Sequence, residues 1–233
     1  MKKIYLDVLI ADDIRTGIEQ NKYPENSKLP SEKELCEMYH VQKMTIRSSL
    51  QILKDEGRIY SKNKSGYYVQ KQRIVKNLRY FRSTTSLVES MGKENESLLL
   101  EFRKIPCDKR ISQRMKLNIG TDLYCLERLR KVDNAPVSLE WSYIIAEYFP
   151  GLENFDLSGR SLYRIYEDEY QVNIDRAEMQ ISVVYADAEE ARLLEVEEGE
   201  ALIREEGRTY DYTNRFVEYT ETFMRIDRFQ FIK

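Results

Sequence analysis

The chain has 233 residues, 42% hydrophobic and 33% charged, with a net charge of -3, which excludes a disordered chain and gives room for one or two domains with real cores. No apolar run approaches the roughly 20 residues of a membrane span, and the start MKKIYLDVLIADDIR lacks the pattern of a cleaved leader. Cys36, Cys107 and Cys125 form no CxxC pair, so the expected setting is the cytoplasm, with no membrane, no metal site and no cofactor.

In chain order, the spacing of Val8, Ala11, Ile14 and Ile18 predicts a first helix over about 5–19, ended by Pro24. LPSEKEL predicts the next helix start: Ser31 accepts from the Glu34 amide while the Glu34 carboxylate reaches back to the Ser31 amide, a capping box. That helix runs to about Tyr39 with Leu35 and Met38 inward, and His40, Val41 and Gln42 stop it. From Lys43 to about Glu56, Ile46, Leu50 and Leu53 keep helical spacing, while Lys43, Thr45, Arg47 and Ser48 crowd the first turns on the other side. Gly57 is placed to end it. RIYSKNKSGYYV reads as strand, basic turn, strand, with Lys62, Lys64, Ser65 and Gly66 at the tip.

Charge divides along the chain. Residues 1–71 hold 13 Lys and Arg against 10 Asp and Glu, a net of +3, and the rest holds 24 against 30, a net of -6. Within 43–76, Lys43, Arg47, Lys54, Arg58, Lys62, Lys64, Lys71, Arg73 and Lys76 are opposed only by Asp55 and Glu56, a candidate phosphate-facing surface. Two short helices joined by about three residues, the second basic at its start, have the shape that enters a major groove about 12 Å wide. There Arg or Lys bonds guanine and Gln bonds adenine. A helical bundle with a solvated basic face is the alternative.

Leu29-Pro30-Ser31-Glu32, Val41 to Arg47, Leu53, Glu56-Gly57 and Gly66-Tyr67-Tyr68-Val69 resemble the DNA-binding domain of GntR-family bacterial regulators over about residues 4–70. The resemblance implies that Lys33, Gln42, Lys43, Thr45 and Arg47 touch a double-stranded DNA operator. It also implies that Lys64, Ser65 and Gly66, in a wing, reach the minor groove or a phosphate. Three positions depart from the family. Gln42 stands where Ser or Thr is usual, so the reading helix lacks a good side-chain cap. His40 stands where the family often has a turn Gly, and His can adopt a left-handed backbone at some cost. Lys64 replaces a wing Gly.

A basic, polar linker is expected at 72–79, between a winged helix-turn-helix domain of 1–71 and a second domain of 80–233. The second domain holds a weak repeat of helix, Gly, strand, turn, strand. The first copy is DKRISQRMKLN, Gly120, LYCLERLRKV, DNAP and VSLEWSYI; the second is DAEEARLLEV, Gly199, ALIREEGRTYD, YTNR and FVEYTETFM. Between them SLYRIYEDEY reads as a helix and RAEMQISVVYA as a strand, so the fold class is α+β, an antiparallel sheet with flanking helices. Strand alternation puts Ser138, Glu140 and Ser142 on one face and Val137, Leu139, Trp141 and Tyr143 on the other, and groups Phe216, Glu218, Thr220, Thr222 and Met224. Carboxylates among apolar neighbours, with Arg128 and Arg130 one strand earlier, point to a polar pocket for an anion. Cross-strand ion pairing on a solvated sheet is the alternative.

RLRKVDNAPVSLE, SLYRIYEDEY and VEYTETFMRIDRF resemble the effector-binding UTRA domain of the HutC subfamily of GntR regulators, whose fold is similar to chorismate lyase, over roughly 80–231. This implies that Arg128, Arg130, Glu140, Ser161, Tyr163 and Glu218 line an effector pocket, and that a loop of Ser83, Thr84 and Thr85 holds a phosphate or carboxylate. Met224 stands where relatives often have Tyr, which removes a hydrogen bond. The implied function is that of a homodimeric repressor on an inverted-repeat operator, released by a small anionic effector such as a sugar phosphate or organic acid. An enzyme is the rival, but the sequence shows no nucleophile and base at a known spacing, no metal-ligand cluster and no Gly-rich phosphate loop. An architectural DNA binder without a ligand is the other.

Overall fold

The computed structural model describes residues 5–71, 73–80 and 82–233, and the chain divides into two compact units, Met1–Gln72 and Arg73–Lys233. In the first unit three helices, α1 (Leu6–Glu19), α2 (Glu32–Tyr39) and α3 (Lys43–Asp55), are followed by a hairpin of β1 (Ile59–Lys62) and β2 (Gly66–Val69). Ile46, Leu50 and Leu53 of α3 are fully buried with Leu35 of α2 and Ile10, Ala11 and Ile14 of α1. Tertiary packing of these apolar stripes holds helices that are too short to persist alone.

Two expected core residues are not in it: Val8 is 47% and Met38 49% exposed. At 100° per residue Val8 lies about a third of a turn from the middle of the stripe formed by Ile10, Ala11, Ile14 and Gly17, and α2 packs Leu35, Cys36 and Tyr39 inward instead. Gly17 permits a close return of the chain, since a Cβ there would meet the Tyr23 ring at 2.9 Å. The capping box forms, with the Glu34 amide donating to Ser31 Oγ at 3.3 Å and the Ser31 amide to Glu34 Oε2 at 2.7 Å. His40 ends α2 in the left-handed region, at φ 53°.

The second unit begins with β3 (Ile74–Asn77), α4 (Thr84–Ser90), β4 (Asn95–Pro106), α5 (Lys109–Met115), β5 (Asp122–Val132) and β6 (Ala135–Ile145). It continues through α6 (Leu162–Tyr170), β7 (Ile174–Tyr185), α7 (Ala188–Leu194), β8 (Ala201–Asp211), β9 (Phe216–Arg225) and β10 (Phe229–Ile232). Six strands form an antiparallel sheet in the order β4-β5-β6-β9-β8-β7, and β3 pairs in parallel with β10. The two halves of the repeat are the hairpins β5–β6 and β8–β9, which meet through β6 and β9 with Glu140 opposite Thr222. One sheet face packs on α6, through Tyr124, Leu126 and Ile144, and on α4, through Met224 and Ile203. The other packs on α5, through Cys125, Tyr143 and Tyr219, and on α7, through Leu129, Leu139 and Leu202.

Two sequence expectations change here. The segment 72–79, read as a linker, contains β3, whose partner β10 is remote in sequence and invisible to local patterning; Gln72 lies outside the described residues. The loop expected at Ser83, Thr84 and Thr85 is the start of α4, with Ser83 Oγ accepting from the Ser86 amide at 3.1 Å. Among the described residues no helix is long and apolar enough to cross a membrane, and no cluster of His, Cys, Asp and Glu is placed to hold a metal.

Candidate functional site

The first unit gathers its charge at the start of α3. Gln42 is the N-cap and makes no side-chain capping bond, as its chemistry predicts. Lys43 and Arg47 follow, 61% and 54% exposed, and both are drawn to Glu32, the first residue of α2. Arg47 Nε lies 3.1 Å from each Glu32 oxygen and Lys43 Nζ 3.2 Å from one. Burial alone would raise the Glu32 carboxyl, but the two cations hold it below the usual range. In the sequence Glu32 stands out only within the motif that carries the family resemblance; the turn between the helices is what makes it the anchor of the two cations. Met44, between them, is 72% exposed and apolar. Thr45 is half-buried, and its carbonyl accepts from Ser49 Oγ at 2.9 Å. Lys33, on α2, has an 87% exposed side chain with Glu37 at 3.9 Å.

In the hairpin, Lys64 and Gly66 take positive φ, 57° and 119°, which forms the tight tip. Ser65 Oγ is 2.7 Å from the Tyr68 hydroxyl, and Lys62 Nζ sits 4.4 Å from the centre of the Tyr68 ring. The basic surface expected over 43–76 is therefore interrupted. Arg58 pairs with Glu19 at 3.4 Å, and Lys76 belongs to the second unit, where its Nζ is 2.6 Å from Glu205.

The second unit holds a partly open cavity of about 50 Å³ between the N-terminal ends of α4 and α6 and the strands β5, β6, β8 and β9. Ser83, Thr84, Thr85, Arg128, Arg130, Glu140, Ser161 and Tyr163 all line it, so residues spread over the sequence come to one place. Glu218 is not among the lining residues. It is buried next to Arg128, Glu140 and Tyr163, where burial, offset in part by Ser142 and Arg128 and reinforced by Glu140, pushes its carboxyl up to about 7. Lys76, Arg82, Glu205 and Thr222 line the cavity too and were not foreseen. Thr222 had a signal, its place on the Glu218 face of β9, whereas Lys76 and Arg82 are brought in by β3 and the approach to α4.

The lining charges are four cations, Lys76, Arg82, Arg128 and Arg130, against two carboxylates, Glu140 and Glu205. Glu140 binds Arg128 closely and Arg130 at 3.2 Å, and Arg130 also donates to Thr85 Oγ1 at 3.3 Å. Burial would raise Glu140, but Arg128 and Arg130 outweigh it and bring the carboxyl down to about 2. Arg130 bears the opposite strain: burial, then the charge of Arg128, lower its pKa. Nε and Nη1 of Arg128 and Nε of Arg130 are buried with no hydrogen-bond partner among the described residues. Buried donors without acceptors are costly, and a group that accepts from guanidinium would relieve that cost.

Known proteins share both halves. Residues 7–69 match the gntR family of bacterial regulatory proteins, and residues 90–230 match the UTRA domain. The chain is 29% identical over 199 residues, 85% of its length and 81% of the relative's, to the HTH-type transcriptional regulator YurK of Bacillus subtilis (strain 168). It is 24% identical over 219 residues, 94% of its length and 88% of the relative's, to a probable fructoselysine utilization operon transcriptional repressor of Escherichia coli (strain K12). The crystal structure of PhnF from Mycobacterium smegmatis superposes with a TM-score of 0.82 at 22% identity, covering 96% of this chain and 97% of that one, and shows the same fold. The family places this chain among regulators and not enzymes. The chain belongs to the GntR family of DNA-binding transcription regulators, in the group that joins the winged head to a UTRA domain.

Proposed function

We propose that this protein is a cytoplasmic repressor that binds an inverted-repeat operator as a homodimer and leaves it when a small anionic molecule enters the Arg128 cavity. Residues 1–71 carry DNA binding, with Lys43 and Arg47 at base edges and Lys33, Lys64 and the Ser65-Gly66 tip on the backbone or minor groove. Residues 80–233 carry sensing and dimerisation. The observation that carries this reading is the set of buried guanidinium donors without acceptors on Arg128 and Arg130, two residues that line a cavity with a cationic excess. A carboxylate or phosphate head satisfies them and offsets the mutual repulsion that lowers Arg130. The charges that line the cavity suit a sugar phosphate or organic acid, and the name of the fructoselysine relative fits a sugar derivative. Support for self-association comes from β7, an edge strand of 12 residues that leaves Val183 and Tyr185 63% and 73% exposed on one face.

Release requires that the ligand bind the DNA-incompetent arrangement better, since equal affinity shifts nothing. The test is an operator gel shift run with a panel of sugar phosphates and organic acids. One member should displace the protein from wild-type complexes and fail on Arg130→Gln; a panel that never displaces it rejects the anionic effector. Arg47→Ala should weaken operator binding at least about ten-fold, the cost of one lost bidentate base contact, and unchanged affinity would remove the assigned reading helix.

A further inference from the structure

We propose that the cleft between α5 and α7 binds a small organic cation, an ammonium or guanidinium head on an apolar body, at a site distinct from the Arg128 cavity. The cleft has a volume of about 300 Å³, at the lower end of small-molecule sites. Leu139, Trp141 and Tyr143 of β6 and Phe223 of β9 floor it, while Glu140 and Thr222 of the same strands line the first cavity. Alternation along a strand therefore opens the two sites on opposite faces of the sheet. Trp141 and Phe223 meet edge to face, centroids 5.3 Å apart at 83°, and an aromatic face attracts a cation within about 6 Å.

Charge selects the same ligand. Glu221 in the floor is already held by Arg110, at 2.6 Å, and by Arg204. On the rim, Asp187 and Glu190 bond backbone amides of their own capping box, and Glu189 has only Arg192 at 3.9 Å among the described residues. The α7 side thus presents carboxylates without close cations, and burial raises Glu190 above the usual carboxylate range. The cleft already accommodates one cation of its own: the Arg110 guanidinium lies 5.6 Å from the centre of the Tyr143 ring and donates to its hydroxyl at 2.8 Å. The stretch over Trp141, next to the α7 acids, offers the same pairing of ring and carboxylate to a guest.

Trp141 is the one tryptophan of the chain, so emission from the full-length protein reports on this floor directly. Butylguanidinium should give a saturable change in that emission, and its neutral isostere butylurea should bind at least about five-fold more weakly, the loss expected when the ring and carboxylates no longer face a charge. Glu189→Lys, on a side chain 76% exposed, should weaken butylguanidinium to a similar degree. Raising salt to about 0.5 M should do the same in the unmodified protein, because exposed charges are screened over a few ångströms there. No saturable change, or an equal response to butylurea, overturns the proposal. So does emission that depends on protein concentration without any probe, which would give the cleft to a second copy of the chain. None of these readings involves DNA or the Arg128 cavity.

Discussion

The two units handle the same kind of ion pair in opposite ways. In the head, Glu32 shares Arg47 and Lys43 while both cations stay more than half exposed. In the sheet, Glu140 shares Arg128 and Arg130 with 3% and 6% of those residues exposed. A pair near water is worth about 0–1 kcal/mol, so the head can release its cations from Glu32 at little cost, as the proposed contacts with phosphates and bases require. A buried charge stripped of its partner costs about 3–5 kcal/mol, so the sheet holds its pairs where the head can let them go. One unit is built for exchange and the other for retention.

Glu140→Gln probes retention most severely. It leaves Arg128 and Arg130 buried with one fewer counter-charge and should lower the stability of the second unit by about 3–5 kcal/mol in urea unfolding; a loss under 1 kcal/mol would put this pair on the same footing as Glu32. The next largest effect concerns pH. Glu218 ionises near 7 in the folded protein and near the ordinary 4.5 when unfolded, so its neutral form is favoured by folding. Stability from this group is complete below about 4.5 and is lost as pH rises to 7, by about 3 kcal/mol at most. Glu218→Gln should flatten that slope. Glu140, depressed to about 2, acts in the other direction and only below 4.5, where its contribution falls away as pH drops. Smallest of all, Glu32→Gln should change stability by less than about 1 kcal/mol while altering the salt dependence of operator binding, because Arg47 and Lys43 no longer leave a carboxylate to reach DNA. A gel-shift series over salt reads this, and an unfolded variant would show that the head, too, depends on retention.

The head was legible because its signals are local. A capping box, a three-residue turn and the Ile46, Leu50, Leu53 spacing each lie within a few residues, and all appear in the structure. The hairpins β5–β6 and β8–β9 were readable for the same reason, each closing on a short turn. What escaped was long-range. β4 carries no clean alternation, and as an edge strand its burial pattern is mixed. β3 and β10 are four residues each and become strands only through each other. The cavity was half visible: Arg128, Arg130 and Glu140 declare themselves by strand register, but the burial that removes Glu218 from the lining depends on α6, whose Tyr163 and Tyr166 lie against it.

The β3–β10 ribbon makes a cavity wall depend on a remote stretch of chain. Ile74 and Leu78 donate to the carbonyls of Arg228 and Ile232 at 2.7 and 2.8 Å, and Phe229 is buried against Ile74. The ribbon carries Lys76, which reaches Glu205 at the cavity rim. Cleavage just before Phe229 would therefore loosen Lys76 and the cavity wall it forms without touching a single strand of the six-stranded sheet.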